Sequence, residues 1–349
     1  MIRSTSFLVK ALHVATGNTL VIEFLKDIVV VLTEPIAEAG ALLLRSAFRE
    51  VRLAGDTDET ELCRIVSDAQ AIVTRITRIT RKIIESAAHL KVIVRHGVGV
   101  DNIDLEAATE HGVQVFSTPE GLTVSVAEFT IGAILALLRR TSAADAAVRS
   151  GNWHARYSEL VGEELYGKTV GIVGLGRIGT EVARRLRPFG VEMLYYDLVR
   201  RVKIEKEVPI GFVSLDNLLR TSDVVSLHVP ATKETFHMIG KQQLEIMKSG
   251  AILLNLARGT VVDEEAVFQA LSTRRLAGAA LDVFEQEPLP PDSPLVRLPN
   301  VLLSPHMSGH TREALDRTAM DVAKVLKAVF SGKRAPYLAN PEVLKKTEA

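Results

Sequence analysis

The stretch TVGIVGLGRIG at residues 169–179 constrains the fold of this chain more than any other segment. An apolar run stops at Gly174, and Gly176 and Gly179 follow with the spacing G-x-G-x-x-G. The residues EVARRLRPFG come next and have helical periodicity. A strand, a tight glycine turn and a helix N-terminus in this order form a cradle for a pyrophosphate. With the acidic Asp197 placed 18 positions after Gly179, the stretch predicts a dinucleotide-binding fold.

Asp197 ends the predicted strand that follows the glycine turn. A carboxylate at this point can accept hydrogen bonds from both hydroxyls of an adenosine ribose, and it repels a 2′-phosphate. The sequence therefore predicts NAD rather than NADP as the cofactor. Arg200 and Arg201 lie close behind Asp197 and could moderate this preference.

The length and composition of the chain limit the classes of protein to which it can belong. A chain of 349 residues exceeds one ordinary core, which predicts two domains. Its 42 basic and 42 acidic residues balance, so we expect neither a nucleic-acid nor a membrane partner. The single Cys63 excludes an intrachain disulfide and a Cys-based zinc site, and it suits the cytoplasm. We expect no metal cofactor.

Residues 1–26 precede the regular pattern of the chain. Arg3 and Lys10 are their only charges before Glu23, a composition that faintly resembles a transit peptide. They contain neither a sustained apolar core nor a small-residue cleavage site of the signal-peptide kind. We interpret them as an N-terminal extension that the fold does not need, or as the product of a start codon placed too early.

Alternating strand and helix patterns from Asp27 onward predict two parallel sheets covered by helices on both faces. We expect a substrate-binding domain over residues 27–120, completed by 307–349, and a nucleotide-binding domain over 121–306. The strands predicted in the first domain are 27–33, 69–75, 90–97 and 113–119. The six predicted in the second, typical of a doubly wound nucleotide-binding sheet, are 169–174, 191–197, 223–230, 251–257, 279–284 and 301–306.

The stretch VSVAEFTIGAILALLRR at 124–140 predicts the most apolar helix of the chain, with Ser125 and Glu128 forming a capping box. The apolar residues of this helix lie on nearly all of its faces, so we expect it to be buried between domains or against a second copy of the chain. Residues 150–168 are polar with scattered aromatic residues. They form either a connector or an arm that reaches a partner subunit.

Three side chains suited to chemistry lie near the carboxyl ends of later predicted strands, where ligands bind in open α/β sheets. Arg258 can hold a carboxylate with two parallel hydrogen bonds. His306 can exchange a proton at neutral pH. Glu287 would orient the imidazole ring and favour its protonated form. Each residue alone also fits an ordinary surface role, but the three together, downstream of a dinucleotide cradle, indicate an active site.

The stretch His96-Gly97-Val98-Gly99 also follows a predicted strand and contains G-x-G. Asn102 stands where a dinucleotide fingerprint has its third glycine. We therefore interpret this stretch as a source of backbone amides near a substrate, and not as a second dinucleotide turn.

Six long motifs resemble the D-isomer-specific 2-hydroxyacid dehydrogenase family. They are VRHGVGVDNIDLEAATEHGVQVFSTPEG, LYGKTVGIVGLGRIG, SLHVPATKETFHMI, NLARGTVVDEEAV, AGAALDVFEQEPL and NVLLSPH. The resemblance extends over about residues 28–344. It implies two doubly wound α/β domains, a flavodoxin-like substrate-binding domain and a Rossmann NAD-binding domain, with a cleft between them. It also implies a homodimer, joined through helix 124–140 and an arm around Trp153.

The same resemblance implies roles for individual residues. Arg258 would hold the substrate carboxylate and carbonyl, and His306 would take the hydroxyl proton as C2 gives hydride to NAD, with Glu287 tuning the histidine. The implied cofactor contacts, the last of them at the nicotinamide amide, are Gly174, Gly176, Arg177, Ile178, Gly179, Asp197, Val229, Pro230, Ala257 and Asp282. The implied substrate contacts are Arg75, His96, Gly97 and Val98.

The chain departs from the family pattern where substrate side groups should bind. Members that act on 3-phosphoglycerate usually have Arg-Ser and Arg-Ala-Gly where this chain has Arg75-Ile76 and Arg95-His96-Gly97. They also have a glycine-rich run after the catalytic histidine, where this chain has MSGHT. Arg75, Arg78 and Arg95 could bind a phosphate or could be solvated charges.

The resemblance makes 3-phosphoglycerate and phosphohydroxypyruvate the first substrate candidates. Glyoxylate with hydroxypyruvate, and bulkier 2-keto acids, are the alternatives within the same reaction. Two other classes are open: an NAD-sensing, non-catalytic protein like the corepressors that share this fold, and an enzyme that takes hydride from phosphite.

Overall fold

Two parallel β-sheets organise the chain, each in its own unit. The computed structural model describes residue 25 and residues 27–346. The prediction about the extension over 1–26 therefore falls, except for Leu25, outside the described residues. Of these described residues, the first unit comprises those up to Gly121 and again from Leu315, and the second unit comprises Leu122–Ala314.

Within its described residues, the first unit has a five-stranded sheet in the order β2-β1-β3-β4-β5, all parallel. The strands are β1 (Val29–Leu32), β2 (Glu50–Leu53), β3 (Ala71–Thr74), β4 (Val92–Arg95) and β5 (Gln114–Ser117). The helices between them are α1 (Glu38–Ala47), α2 (Glu59–Val66), α3 (Arg81–Ser86) and α4 (Leu105–Glu110). This strand order is that of flavodoxin-like folds, as predicted.

The strands of the first unit differ in how clearly their sequences predict a strand. The central strands β1 and β3 are continuous apolar or β-branched runs, VVVL and AIVT, because both faces of the sheet are buried. The edge strand β2, EVRL, is only partly buried and carries two charges. It has no apolar run to detect, and the sequence analysis missed it.

The second unit contains seven parallel strands in the order β12-β11-β10-β9-β6-β7-β8. The strands are β6 (Thr169–Val173), β7 (Glu192–Tyr196), β8 (Gly211–Phe212), β9 (Val224–Leu227), β10 (Ala251–Asn255), β11 (Leu276–Leu281) and β12 (Val301–Leu303). The helices are α5 (Thr123–Leu138), α6 (Thr141–Arg149), α7 (Arg177–Leu186), α8 (Val202–Glu207), α9 (Leu215–Thr221), α10 (Lys241–Ile246) and α11 (Glu264–Ser272). The two-residue β8 was not predicted. The strand order reverses between β6 and β9, so a ligand is expected to bind at the carboxyl ends of these two strands.

The capping box predicted at Ser125 and Glu128 is wrong. Helix α5 begins earlier, at Thr123, and Leu122 at its N-cap makes no side-chain cap. Ser125 is therefore inside the first turns of the helix, where its hydroxyl oxygen lies 2.8 Å from the hydroxyl oxygen of Thr311.

The C-terminal part of the chain returns to the first unit through α12 (Arg312–Phe330) and α13 (Val343–Lys346). Val322 and Leu326 on α12 are fully buried in the same apolar cluster as Val30 of β1. The chain passes from the second unit back to the first between Ala314 and Leu315, later along the sequence than the expected boundary after residue 306. Among the described residues, no helix is both long enough and apolar enough to cross a membrane.

Candidate active site

The glycine turn between β6 and α7 depends on its lack of side chains at two points. Gly174 has φ 93°, and a Cβ there would lie 2.7 Å from the His228 carbonyl oxygen. A Cβ on Gly179 would lie 2.2 Å from the Gly174 carbonyl oxygen. Real Cβ atoms do not approach backbone oxygens so closely. These two glycines therefore allow the turn to be tight and allow α7 to pack against β6.

Gly176 has a different surrounding, because a Cβ added there would meet no protein atom within 4 Å. This glycine is the N-cap of α7, whose first turn begins with Arg177 and Ile178. Backbone N–H groups at a helix N-terminus favour an anion, and the missing side chain leaves room for one. The residues present therefore fit the pyrophosphate of a dinucleotide.

Asp197 follows β7 and is bound to the glycine turn. One carboxylate oxygen accepts a hydrogen bond from the Leu175 N–H at 3.0 Å and lies 3.3 Å from Arg201 Nε. The other oxygen accepts from the Val199 N–H at 3.3 Å. The carboxylate is thus oriented by the turn itself, at the position where a ribose is expected.

The turn after β10 places Arg258. Asn255 is fully buried and donates from its side-chain amide to the Arg258 carbonyl oxygen at 2.9 Å. The Asn255 side-chain oxygen accepts from the Ala257 N–H at 3.2 Å. A Cβ at Gly259 would lie 1.9 Å from the Phe284 carbonyl oxygen, so only glycine lets this turn pack on the 284–287 segment. Arg258 is therefore held next to the segment that carries Glu287.

Asp282, at the end of β11, organises the loop that carries His306. Its carboxylate is fully buried and accepts hydrogen bonds from the Ser304 hydroxyl at 2.6 Å and from the N–H groups of Met307 and Ser308 at 2.8 Å. Its carbonyl oxygen accepts from the His306 N–H at 2.8 Å. These bonds hold His306 at φ 51°, a backbone conformation that is uncommon for residues other than glycine.

His306 and Glu287 form a hydrogen-bonded pair. Nδ1 of the imidazole lies 2.8 Å from one Glu287 oxygen, and the other oxygen accepts from the Phe284 N–H at 3.2 Å. Burial acts to raise the pKa of Glu287, but the hydrogen bond and charge of His306, together with the charge of Arg258, outweigh it and lower this pKa. Glu287 is therefore an ionised partner bound to Nδ1, on the side of the ring opposite Nε2.

Arg258, Glu287 and His306 thus come together beyond the carboxyl ends of β10, β11 and β12 in the seven-stranded sheet. A guanidinium can bind a carboxylate or polarise a carbonyl, and a histidine backed by a carboxylate can exchange a proton. The glycine turn lies at the carboxyl end of a strand of the same sheet. The arrangement is suited to proton transfer at an oxygen-bearing carbon next to a bound dinucleotide.

The predicted substrate residue His96 lies at the end of β4 in the first unit. Its side chain is only 4% exposed, and its Nε2 has no hydrogen-bond partner among the described residues. Burial, with the nearby charges of Arg75 and Arg95, lowers the pKa of His96 to about 4. The ring is therefore neutral near pH 7.

Gly97 and Val98 differ in what their backbones offer. The Gly97 N–H donates to the Thr118 hydroxyl at 2.9 Å and to the Arg95 carbonyl at 2.9 Å, and its own carbonyl accepts from the Thr118 N–H. A Cβ on Gly97 would lie 2.9 Å from an Arg95 guanidinium nitrogen. The N–H of Gly97 is thus occupied by partners within its own unit, and Val98 is 40% exposed.

Residues 131–308 match a family model described as the NAD-binding domain of D-isomer specific 2-hydroxyacid dehydrogenases. The chain is 49% identical over 289 residues to a glyoxylate reductase of Thermofilum pendens, which covers 82% of this chain and 85% of the relative. The chain belongs to the D-isomer specific 2-hydroxyacid dehydrogenase family. The family prediction is confirmed, and so are NAD as the cofactor and the class of NAD-dependent oxidoreductases.

Two other comparisons extend the family assignment. The chain is 43% identical over 304 residues to a D-3-phosphoglycerate dehydrogenase of Archaeoglobus fulgidus, covering 87% of this chain and 57% of that relative. An NAD-dependent formate dehydrogenase of Staphylococcus aureus, solved in complex with NAD, has a TM-score of 0.78 at 33% identity, over 89% of this chain and 97% of the other. The predicted pair of α/β domains is confirmed.

Sequence reasoning missed three residues that hold the backbone at or next to predicted site residues of this family member, two in the first unit and one in the second. They are Glu34, Asn255 and Thr118, which bind backbone groups of predicted site residues or of their neighbours. Each lies at or just beyond the carboxyl end of a strand, the position that already pointed to Arg258. Their roles depend on partners that are distant in the chain or on main-chain groups, which leave no motif.

Proposed function

We propose that this dehydrogenase interconverts a D-2-hydroxyacid and the corresponding 2-keto acid. In this proposal His306, paired with Glu287, is the acid and base, and Arg258 anchors the substrate carboxylate. The observation that carries this proposal is the 2.8 Å contact between His306 Nδ1 and Glu287, beside Arg258. The hydrogen-bonded ionised carboxylate leaves the opposite ring nitrogen as the proton-exchanging atom.

In this proposal the cofactor supplies only the hydride acceptor or donor, and the protein does the rest. Arg258 binds the substrate carboxylate and carbonyl oxygen, which orients C2 and stabilises negative charge on that oxygen. His306 Nε2 accepts the hydroxyl proton in oxidation and donates it in reduction. Glu287 keeps the ring oriented throughout.

Within this reaction we propose 3-phosphoglycerate and phosphohydroxypyruvate as the first substrate pair. The proposed substrate contacts are Arg75 and His96, with the amide of Val98, all in the first unit. Arg75 follows β3 and Arg95 ends β4, so two guanidinium groups flank the buried, neutral His96. This positive charge favours a substrate that carries an anionic side group.

A second pair, glyoxylate and hydroxypyruvate, is favoured by two other observations. The Thermofilum pendens relative is named a glyoxylate reductase. Ile76, next to Arg75, is 82% exposed, whereas a serine there could donate a hydrogen bond to a phosphate. An apolar side chain in this place suits a substrate without a phosphate.

A substrate panel tests the proposal. We expect the protein to oxidise NADH with at least one of phosphohydroxypyruvate, hydroxypyruvate, glyoxylate or a branched 2-keto acid. The ratio of kcat/KM between phosphohydroxypyruvate and glyoxylate decides between the two pairs. Silence across the panel, from folded protein that binds NADH, would instead support the non-catalytic NAD-sensing class.

Replacing Asp197 with asparagine is expected to weaken the preference for NADH over NADPH at least about tenfold in kcat/KM, roughly 1.4 kcal/mol. The amide oxygen can still accept from the Leu175 N–H, so the turn persists while the repulsion of a 2′-phosphate is lost. Arg201 would then face the phosphate without a competing carboxylate. Asp216→Asn, on the exposed first turn of α9, is the control. An unchanged ratio would refute the ribose assignment.

We propose that the protein is a homodimer and that the chain around Trp153 contacts the second copy. Trp153 and Tyr157 are 57% and 69% exposed, and the Arg156 guanidinium lies over both rings. Scattering measurements should give about twice the 38.1 kDa of one chain. A Trp153→Ser, Tyr157→Ser double variant should move the mass toward one chain, and a single-chain mass for the wild type would exclude the dimer. A cytoplasmic location stays a prediction from the single cysteine.

A further inference from the structure

Glu34 lies just after β1, and its carboxylate is bound to the turn that follows β3. One oxygen accepts hydrogen bonds from the Ile76 N–H at 2.9 Å, the Thr77 N–H at 2.6 Å and the Thr77 hydroxyl at 2.8 Å. The other accepts from the Arg75 N–H at 2.8 Å and the Thr33 hydroxyl at 2.6 Å. Five donors therefore converge on one side chain, and three of them are consecutive backbone amides.

The ionised form of Glu34 suits this arrangement. Burial acts to raise the pKa of Glu34, but the Thr33 hydroxyl and the amides of Arg75 and Ile76 outweigh it, so that the pKa lies below its ordinary value. A carboxylate accepts hydrogen bonds at both oxygens. In a side-chain amide an NH2 group would replace one oxygen and would face N–H or O–H groups that also donate. The turn therefore requires an acid, not merely a polar residue.

The opposite side of the turn is held as well. The Thr77 carbonyl oxygen accepts from the Thr74 hydroxyl at 2.8 Å and from the Asn102 side-chain amide at 2.8 Å. The Ile79 N–H donates to the Asn102 carbonyl oxygen at 2.7 Å. The turn is therefore hydrogen-bonded to Glu34 on one side and to Asn102 on the other.

This turn carries Ile76, one of the positions at which the chain departs from phosphoglycerate-type members of its family, and the predicted substrate residue Arg75. Arg75 donates to the Pro35 carbonyl oxygen at 3.1 Å, and its charge acts on His96. Ile76 stands 82% exposed beside it. Because the amides of both residues are bound to Glu34, their side chains leave the backbone in directions that Glu34 sets.

We propose that Glu34 is a positioning residue that fixes the Arg75–Thr77 turn for substrate binding. The proposal rests on the function proposed above, because it takes Arg75 as a substrate contact. Glu34 touches neither substrate nor cofactor in this scheme and acts through Arg75. Its loss should weaken substrate binding and leave the cofactor site, which lies in the other unit, unchanged.

The test compares Glu34→Gln with wild type on the best keto acid of the panel. We expect KM to rise about tenfold or more while kcat changes less than about threefold and the Kd of NADH stays the same. Thr77→Val removes one hydroxyl donor to Glu34 and should raise KM less, about two- to threefold. Glu38→Gln, an exposed residue of α1, is the control and should have wild-type constants.

A double-mutant cycle separates positioning from general destabilisation. In an Arg75→Ala background, Glu34→Gln should raise KM less than twofold further, because its effect passes through Arg75. Additive effects, or a KM within twofold of wild type for Glu34→Gln alone, would overturn the proposal while leaving the dehydrogenase function intact. If the wild type turns over no keto acid, the proposed function itself fails, and the role of Glu34 in substrate binding fails with it.

Discussion

Replacing His306 with glutamine is expected to lower kcat about 10²- to 10⁴-fold, the usual contribution of a positioned acid or base. Glutamine cannot exchange a proton at Nε2, although it can still bond to Glu287 or to the substrate oxygen. The measurement is steady-state NADH oxidation with the best panel substrate. The Kd of NADH, from its fluorescence, should not change.

A matched control for His306→Gln is His89→Gln, which changes an exposed histidine in the other unit. It should retain wild-type kcat and KM. Glu287→Gln should lower kcat less than His306→Gln does, and the double variant should be no slower than His306→Gln alone. This non-additivity is expected because Glu287 acts through the histidine, to which it is bonded at 2.8 Å. A double variant markedly slower than His306→Gln would contradict that pairing.

Arg258→Ala is expected to lower kcat/KM about 10²- to 10³-fold, roughly 2.7–4 kcal/mol, because it removes a charge that stabilises the developing oxyanion. We expect kcat to fall and KM to rise, since the same guanidinium is proposed to bind the substrate carboxylate. Arg258→Lys should recover only part of the loss, because an ammonium cannot form two parallel hydrogen bonds. Initial rates over a range of keto-acid concentrations measure both constants.

The control for Arg258→Ala is Arg220→Ala, at the exposed C-terminal turn of α9. It removes the same charge from the same unit and should leave kcat/KM within twofold. If Arg258→Ala also stayed within twofold, the anchor would have to be another residue and the proposed mechanism would lose its carboxylate contact. An increase in the Kd of NADH for Arg258→Ala would instead indicate that Arg258 supports the cofactor site.

Much of the fold could be predicted because buried parallel strands have a distinctive composition. Runs such as VVVL in β1 are apolar on both faces, since helices cover both sides of the sheet. The edge strands β2 and β8 escaped because a strand with a solvated face needs no such run. The capping box at Ser125 failed because a Ser-x-x-Glu pattern does not by itself determine where a helix begins, and helix α5 begins two residues earlier, at Thr123.

The candidate site divides in the same way. Arg258, Glu287 and His306 were predicted because each lies near the end of a predicted strand and has a side chain suited to the expected chemistry. Asn255 and Thr118 were not, because buried amides and hydroxyls act by binding backbone groups, which the sequence does not display. The sequence also did not show that the Gly97 N–H is already hydrogen-bonded, since its partner Thr118 is 21 residues away.

The sequence by itself determined the dinucleotide turn, the acidic residue behind it and the identities of the chemical groups. Local spacing determines these features, because a glycine turn and a strand end form within a few consecutive residues. Only the tertiary structure decided that Glu287 meets His306 Nδ1, that Asp282 holds the His306 loop and that Glu34 binds three amides about 40 residues away. Within each unit these contacts join segments that follow separate strands of its sheet, so their geometry exists only after that sheet has formed.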